Sequence, residues 1–273
     1  MTKKQARQFI LAYQGLLPVR KLSGKQGIVD FIKKVRCIQF DPLNKVGENS
    51  HLVLQSRVKN YRKQMLEELL YKERKLLDGR DKNQSIYSVE DWPFFSRYRK
   101  RAYQRYYNKK GVREVLASVR DLLHKKGPIS SLDLDFDEKV DWSWAPTRAA
   151  RAALDSMYFW GELIVHHRVG TRKIYDISKK YITDEIISFE DPNVTGERYY
   201  DWHVKRRICS IGMIWPLSGS AAWLGILGLK KKILMDAIVR LLKRKEVLKI
   251  NVEDIKHPLY IPAEGGIIIK KNY

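Results

Sequence analysis

A carboxamide and a carboxylate stand two residues apart in the segment Val35-Arg36-Cys37-Ile38-Gln39-Phe40-Asp41-Pro42-Leu43. In an extended backbone, residues i and i+2 point the same way, so Gln39 and Asp41 would face one substrate atom. The chain around them carries a net charge of +22. A surplus that large attracts polyanions. An acid held inside so positive a protein points to chemistry on a nucleic acid. The same three residues also fit a turn or cap, because Asp before Pro often begins one.

The elements that must position this pair are legible from periodicity. Ile28, Phe31, Ile32 and Val35 form the apolar face of a helix that ends just before the pair. Cys37 to Asp41 then reads as a strand or extended loop, closed by Pro42. Earlier, Phe9, Ile10, Tyr13, Leu16 and Leu17 sit at helical spacing over residues 3–17. Residues 49–58, 62–77, 94–107 and 112–125 read as further helices, with a β-like run at Ser85 to Val89. Asp91-Trp92-Pro93 resembles a cap followed by proline in the first helical turn.

After the break at Gly127-Pro128 the pattern sharpens. An Ala-rich helix, Arg148 to Phe159, leads into a strand, Gly161 to Arg168, a tight turn at Gly170-Thr171, and a return strand, Arg172 to Ile177. A helix followed by a basic hairpin is the layout of a winged helix. The last third repeats it, with helices over 197–211 and 231–245 and a hairpin of Val247 to Val252 with Pro258 to Ile261. The run Gly265 to Tyr273 reads as a terminal strand. The expected fold class is mainly α with small β-hairpins (α+β), built from tandem winged-helix units. The units run 1–120 (an N-terminal winged helix with a helical extension), 121–190, and 191–273.

With 273 residues, 44% of them hydrophobic, the chain can bury a core, and global disorder is not expected. Basic stretches recur throughout, among them Lys33-Lys34, Arg97 to Arg105, Lys205-Arg206-Arg207 and Lys230-Lys231-Lys232. They read either as a polyanion-binding surface or as the solvated lysines of a basic proteome. Cys37 and Cys209 lack metal-ligand spacing and give no disulfide framework, which fits a reducing cytosol. The N-terminus has no apolar signal region, and no run is long enough for a membrane span. A cytoplasmic protein without membrane contact is expected. No Gly-rich phosphate loop, cysteine cluster or Ser-His-Asp arrangement stands out, so no metal or organic cofactor is expected.

The chain resembles the winged-helix DNA glycosylases of the AlkZ/YcaQ type. The resemblance rests on Cys37 to Leu43, Ser50 to Arg57, Ser88 to Phe95, Trp160 to Val165 and Tyr175 to Ile177, which occur in the family's order. Gln39 and Asp41 match the family's Gln-x-Asp signature, the form associated with excising N7-alkylated purines and unhooking interstrand crosslinks. The resemblance implies a monofunctional glycosylase acting as a monomer on alkylated or crosslinked double-stranded DNA, with tandem winged helices around a C-terminal β-barrel, and leaves open whether water or a lysine is the nucleophile. Asp41 would stabilise the oxocarbenium-like sugar and accept a proton from water, while Gln39 holds the water or sugar. This chain departs from the family in ending after the third winged helix, as a short form or a fragment. It also has Glu48-Asn49-Ser50 where relatives often carry an arginine or second histidine before the position of His51.

DNA contacts are expected from His51, Arg57, Arg97, Arg101, Arg168, Arg172 and Lys173, the last three on the wing. A lone histidine on a helix more often serves structure, and the Arg97–Arg105 stretch, interleaved with tyrosines, also fits an amphipathic helix. Trp142, Trp144, Trp160, Trp202, Trp215 and Trp223 read as core. His166 and His167, adjacent on a strand, should point to opposite faces and make poor joint metal ligands. DNA binding should weaken steeply with salt. The competing function is a non-catalytic winged-helix transcriptional regulator, since the fold alone does not fix activity.

Overall fold

The computed structural model describes residues 1–41, 46–142, 145–217 and 219–272. Pro42, Leu43 and Trp144, used in the sequence reading, lie outside the described residues. Among the described residues there are eleven α-helices and five small sheets, the mainly helical α+β architecture expected. The chain divides into two compact units. The first gathers Met1–Leu69, Arg80–Ser88 and Asn193–Tyr273; the second holds Leu70–Gly79 and Val89–Pro192.

In the first unit, the helix Lys3–Tyr13 opens on a capping box: Thr2 accepts from the Gln5 amide while the Gln5 side chain accepts from the Thr2 amide. Its buried face is Ala6, Phe9 and Tyr13, and the Tyr13 hydroxyl donates to the Cys209 carbonyl at 2.9 Å. The helix Gly24–Val35 buries the four apolar residues its spacing predicted. It stops at Arg36, whose φ of 69° is left-handed and cannot continue a right-handed helix. A short parallel pair, Leu22–Ser23 with Val58–Lys59, was not foreseen. The helices Gly196–Ile211 and Lys231–Lys243 share a core of Val204, Ile208, Leu234, Ala237, Ile238 and Leu241. The expected hairpin follows, Val247–Ile250 with Leu259–Pro262.

Gly265–Asn272 is a helix, not the strand its isoleucine run predicted. A Cβ on Gly265 would lie 2.9 Å from the Phe9 ring, and one on Gly266 would lie 2.9 Å from Leu248. The paired glycines let the turn seat against Phe9 and Leu248, and that packing overrides the β propensity of the isoleucines.

The second unit is built on the Ala-rich helix Ala149–Phe159. Ala149, Ala150, Ala152, Ala153, Leu154 and Met157 are all essentially inaccessible, in one cluster with Val119, Leu123, Leu163 and Tyr175. The wing follows as predicted, Leu163–Val169 paired with Arg172–Ile177 across Gly170-Thr171. The helix expected over 62–77 ends at Tyr71, and Leu76–Arg80 is a strand. Arg74 lies in the break: its φ is 54°, which no helix continues through, and its guanidinium donates to the carbonyls of Leu70, Val165 and His166. Trp160 and Trp223 are buried as expected, whereas Trp142, Trp202 and Trp215 are only partly covered. No helix among the described residues is long and apolar enough to cross a membrane.

Candidate active site

The strand Cys37–Gln39 pairs antiparallel with Gln84–Ser88, in the register Cys37↔Tyr87, Ile38↔Ile86, Gln39↔Ser85. The ladder extends one residue further, because the Phe40 amide donates to the Gln84 carbonyl at 2.9 Å. Alternation then separates the faces: Ile38 is buried, while Gln39 and Asp41 are exposed. Both line one cleft of about 320 Å³ with Phe40, Asn49, Arg80, Asn83 and Gln84. The spacing of the amide and the acid thus does what an extended segment requires, and brings both into one polar groove.

The other walls come from elsewhere in the first unit. Asn49 begins the helix Asn49–Gln55, and its side-chain amide donates to the Gln39 carbonyl at 3.4 Å. Arg80, Asn83 and Gln84 flank a tight turn in which the Asp81 amide donates to the Asn83 carbonyl at 3.0 Å. None of these four was singled out from the sequence as a site residue. The polar run Arg80-Asp81-Lys82-Asn83 between apolar stretches signals a turn, but nothing in it says which strand the turn will flank.

Beneath that turn lies a buried ionic cluster. Asp81 meets Arg206 at 2.6 Å through one oxygen and Arg207 at 2.6 Å through the other. Burial favours the neutral acid, but the two guanidinium groups outweigh it and hold the Asp81 carboxyl far below the usual range. Arg206 and Arg207 are only 2% and 1% exposed, so this part of the basic stretch 205–207 belongs to the interior and not to a polyanion-binding surface. Burial, reinforced by the Asp81 charge, pushes the Cys37 thiol up to about 12. A thiol so placed stays protonated at neutral pH and is no nucleophile.

His51 lies two residues into the same helix as Asn49 but is not among the residues lining the cleft. Its ring is half-buried between the Tyr61 hydroxyl at 2.6 Å and Glu48 at 3.1 Å. Burial pulls its pKa below the ordinary value despite the opposing pull of Glu48. Arg57 donates to the Gln14 and Val53 carbonyls at 2.6 and 2.7 Å and packs over the Phe31 ring, which ties three segments of the first unit together.

The AlkZ-like DNA glycosylase family model matches residues 32–265. The chain belongs to that family. A solved structure similar to it is Streptomyces sahachiroi DNA glycosylase AlkZ, at a TM-score of 0.64 and 12% identity, covering 99% of this chain and 72% of that one. At such identity the likeness is one of fold. The family assignment makes this chain a DNA glycosylase of repair, and the cleft carrying Gln39 and Asp41 becomes its candidate active site.

The remaining predicted contacts fall in the second unit, and the structure redistributes them. Arg168 is not offered to a phosphate: its guanidinium grips Asp78 through two hydrogen bonds of 2.6 and 3.0 Å, with the arginine side chain 8% exposed and the aspartate's inaccessible. Lys173 is largely covered, 3.7 Å from Asp155 and over the Tyr158 ring. Arg172, at the hairpin tip, is exposed. On the helix Ser96–Tyr106, Arg101 is exposed, Arg97 pairs with Asp191 at 3.6 Å, and the Arg99 guanidinium lies over the Trp92 ring at 4.1 Å.

His166 and His167 do not point to opposite faces. Their Nδ1 atoms approach to 2.7 Å, because a β-bulge between Val165 and His167 breaks the alternation. Among the described residues no group of three or more His, Cys, Asp or Glu could hold a metal ion.

Proposed function

We propose that this glycosylase hydrolyses the N-glycosidic bond of N7-alkylated purines in double-stranded DNA, with water as the nucleophile. The lesion's alkylated ring already carries positive charge. When the bond from C1′ to N9 breaks, the electron pair stays with the base, which leaves neutral, so strong acid catalysis of its departure is unnecessary. The charge left on the sugar is oxocarbenium-like, as in other glycoside hydrolysis. Asp41 stabilises it and takes the proton of the attacking water. Gln39 orients that water or the sugar through an amide that donates and accepts at once. Asn49 holds the backbone of Gln39 from the adjoining helix.

The observation that carries this reading is the meeting of Gln39 and Asp41 in one polar cleft of the first unit. Both side chains are exposed there. That suits a crosslinked base, which cannot leave the duplex as freely as a flipped one, so unhooking of interstrand crosslinks belongs to the same proposal. The chemistry needs no covalent lysine intermediate.

The deciding experiment is base release from a duplex holding N7-methylguanine. Asp41→Asn should slow single-turnover release about 10²–10³-fold, in line with loss of one electrostatic contact to the transition state, with duplex affinity kept. Equal release by the variant and the parent would defeat the assignment. A parallel assay on a duplex with a defined N7-purine crosslink tests the wider reading.

A further inference from the structure

Arg206 occupies a place that the proposed reaction does not use directly. It comes from the helix Gly196–Ile211, far along the chain from the Gln39-x-Asp41 strand. Its Nε donates to Asp81 at 2.6 Å, in the turn that carries Arg80, Asn83 and Gln84 into the cleft. Its terminal nitrogen donates to the Arg36 carbonyl at 2.9 Å. Arg36 is the left-handed residue from which the strand of Gln39 departs. One planar side chain therefore joins the two neighbouring segments that line the cleft. Its guanidinium carbon lies 4.9 and 5.8 Å from the centres of the Trp202 and Tyr87 rings, which leaves it little freedom to swing.

The turn is fixed from behind as well. Gly225, at φ 85°, lies so close to the Asp81 carbonyl that an added Cβ would stand 2.3 Å from it. Arg207 shares Asp81 but spends its other nitrogens on the Leu224 carbonyl, at 2.9 and 3.2 Å, and has no bond to Arg36 among those described. Two equally buried neighbours thus differ in one respect: Arg206 links the catalytic strand to the turn, and Arg207 links the turn to the loop behind it.

We propose that Arg206 is a positioning residue for base release, tying the start of the Gln39-x-Asp41 strand at Arg36 to Asp81 in the Arg80–Gln84 turn and so fixing that turn beyond the ladder, whereas Arg207 is a support for the turn alone. The proposal rests on the reading of that cleft as the active site. A fixed guanidinium is suited to the task because its fork meets a carboxylate and a carbonyl in one plane, which a lysine ammonium cannot do.

The test compares Arg206→Lys with Arg207→Lys on the N7-methylguanine duplex, at temperatures where melting curves show both variants folded. Arg206→Lys should slow single-turnover release about 10²-fold at saturating enzyme, the order expected for a misplacement near 1 Å, with duplex Kd unchanged. Arg207→Lys should stay within about threefold of the parent, well inside that order. A second pair removes one charge of each sign and so buries the same net charge: Asp81→Asn with Arg206→Gln, and Asp81→Asn with Arg207→Gln. Only the first of these should lose the catalytic step.

Equal losses within either pair, or a loss expressed in Kd with the rate constant intact, would overturn the proposal. Asp41→Asn runs alongside. If that variant is fully active, the reading of the cleft fails; if it is inactive while the Arg206 and Arg207 variants match, the positioning role alone fails.

Discussion

Two aspartates three residues apart meet different fates. Asp78 belongs to the second unit and Asp81 to the first, on either side of the point where the chain passes between them. Asp78 is held by one arginine, Arg168 of the wing, in a bidentate pair that also receives the Tyr71 hydroxyl at 3.2 Å. Asp81 is held by two arginines of one helix, and the cluster keeps a net positive charge. Asp78 anchors a hairpin to its own core. Asp81 anchors a turn that lines a cleft. The comparison teaches that a basic chain is not a basic surface: three arginines that a charge count assigns to DNA are interior, each answering a buried acid.

The most damaging way to probe this comparison is Arg168→Met. It leaves the Asp78 carboxylate buried without its guanidinium, at a cost of about 3–5 kcal/mol, and calorimetry should show the loss. A change under about 1 kcal/mol, the range of exposed pairs, would mean that the wing anchor is a surface contact after all.

A smaller effect sharpens the other side. His203 is 2% exposed and faces the Asp81 cluster. Burial pulls its pKa down to about 3 from an ordinary 6.5, with Arg206 and Arg207 adding to the fall and Asp81 opposing it. Between those values the unfolded chain binds a proton that the folded protein refuses, so stability drops as pH falls below 6.5. From this group alone about 2 kcal/mol should be lost on going to about pH 5. Denaturant titrations of His203→Phe should show a flatter acid limb than the parent. An identical limb would mean that the ring takes up a proton when folded.

The smallest effect comes from an arginine that is exposed. Arg101→Ala should leave stability within about 0.5 kcal/mol. If the helix Ser96–Tyr106 touches the DNA backbone, the same change lowers the salt slope of duplex binding by about one. An unchanged slope would remove Arg101 from the contact surface.

The shared outlook of Gln39 and Asp41 was legible because its signal is local. Two residues of spacing on an extended strand decide which way Gln39 and Asp41 face. The helices around Phe31 and Ala153, and the wing turn at Gly170, are likewise set by neighbours in sequence. The misreadings are those in which a distant partner decides. Leu76 and Leu77 continue the apolar pattern of the preceding helix, but the left-handed Arg74, bonded to the distant Val165 carbonyl, stands between the helix end and them. The doublet His166-His167 keeps its alternation on paper but loses it to a bulge. Arg168 and Arg206 look like any exposed cation until Asp78 and Asp81, 90 and 125 residues away, come to meet them.

The first unit is assembled from three separate stretches of chain, the last beginning only at Asn193. During synthesis the carboxylate of Asp41 therefore emerges long before the guanidinium that braces its surroundings. A ribosome must make the second unit in between. Pairing that spans such a loop is slow to form, and a polypeptide released early would hold Asp41 without the Asp81–Arg206 contact. If Arg206 aims that acid as proposed, products that stop short of Asn193 should release no N7-methylguanine from a duplex even when they carry Gln39 and Asp41.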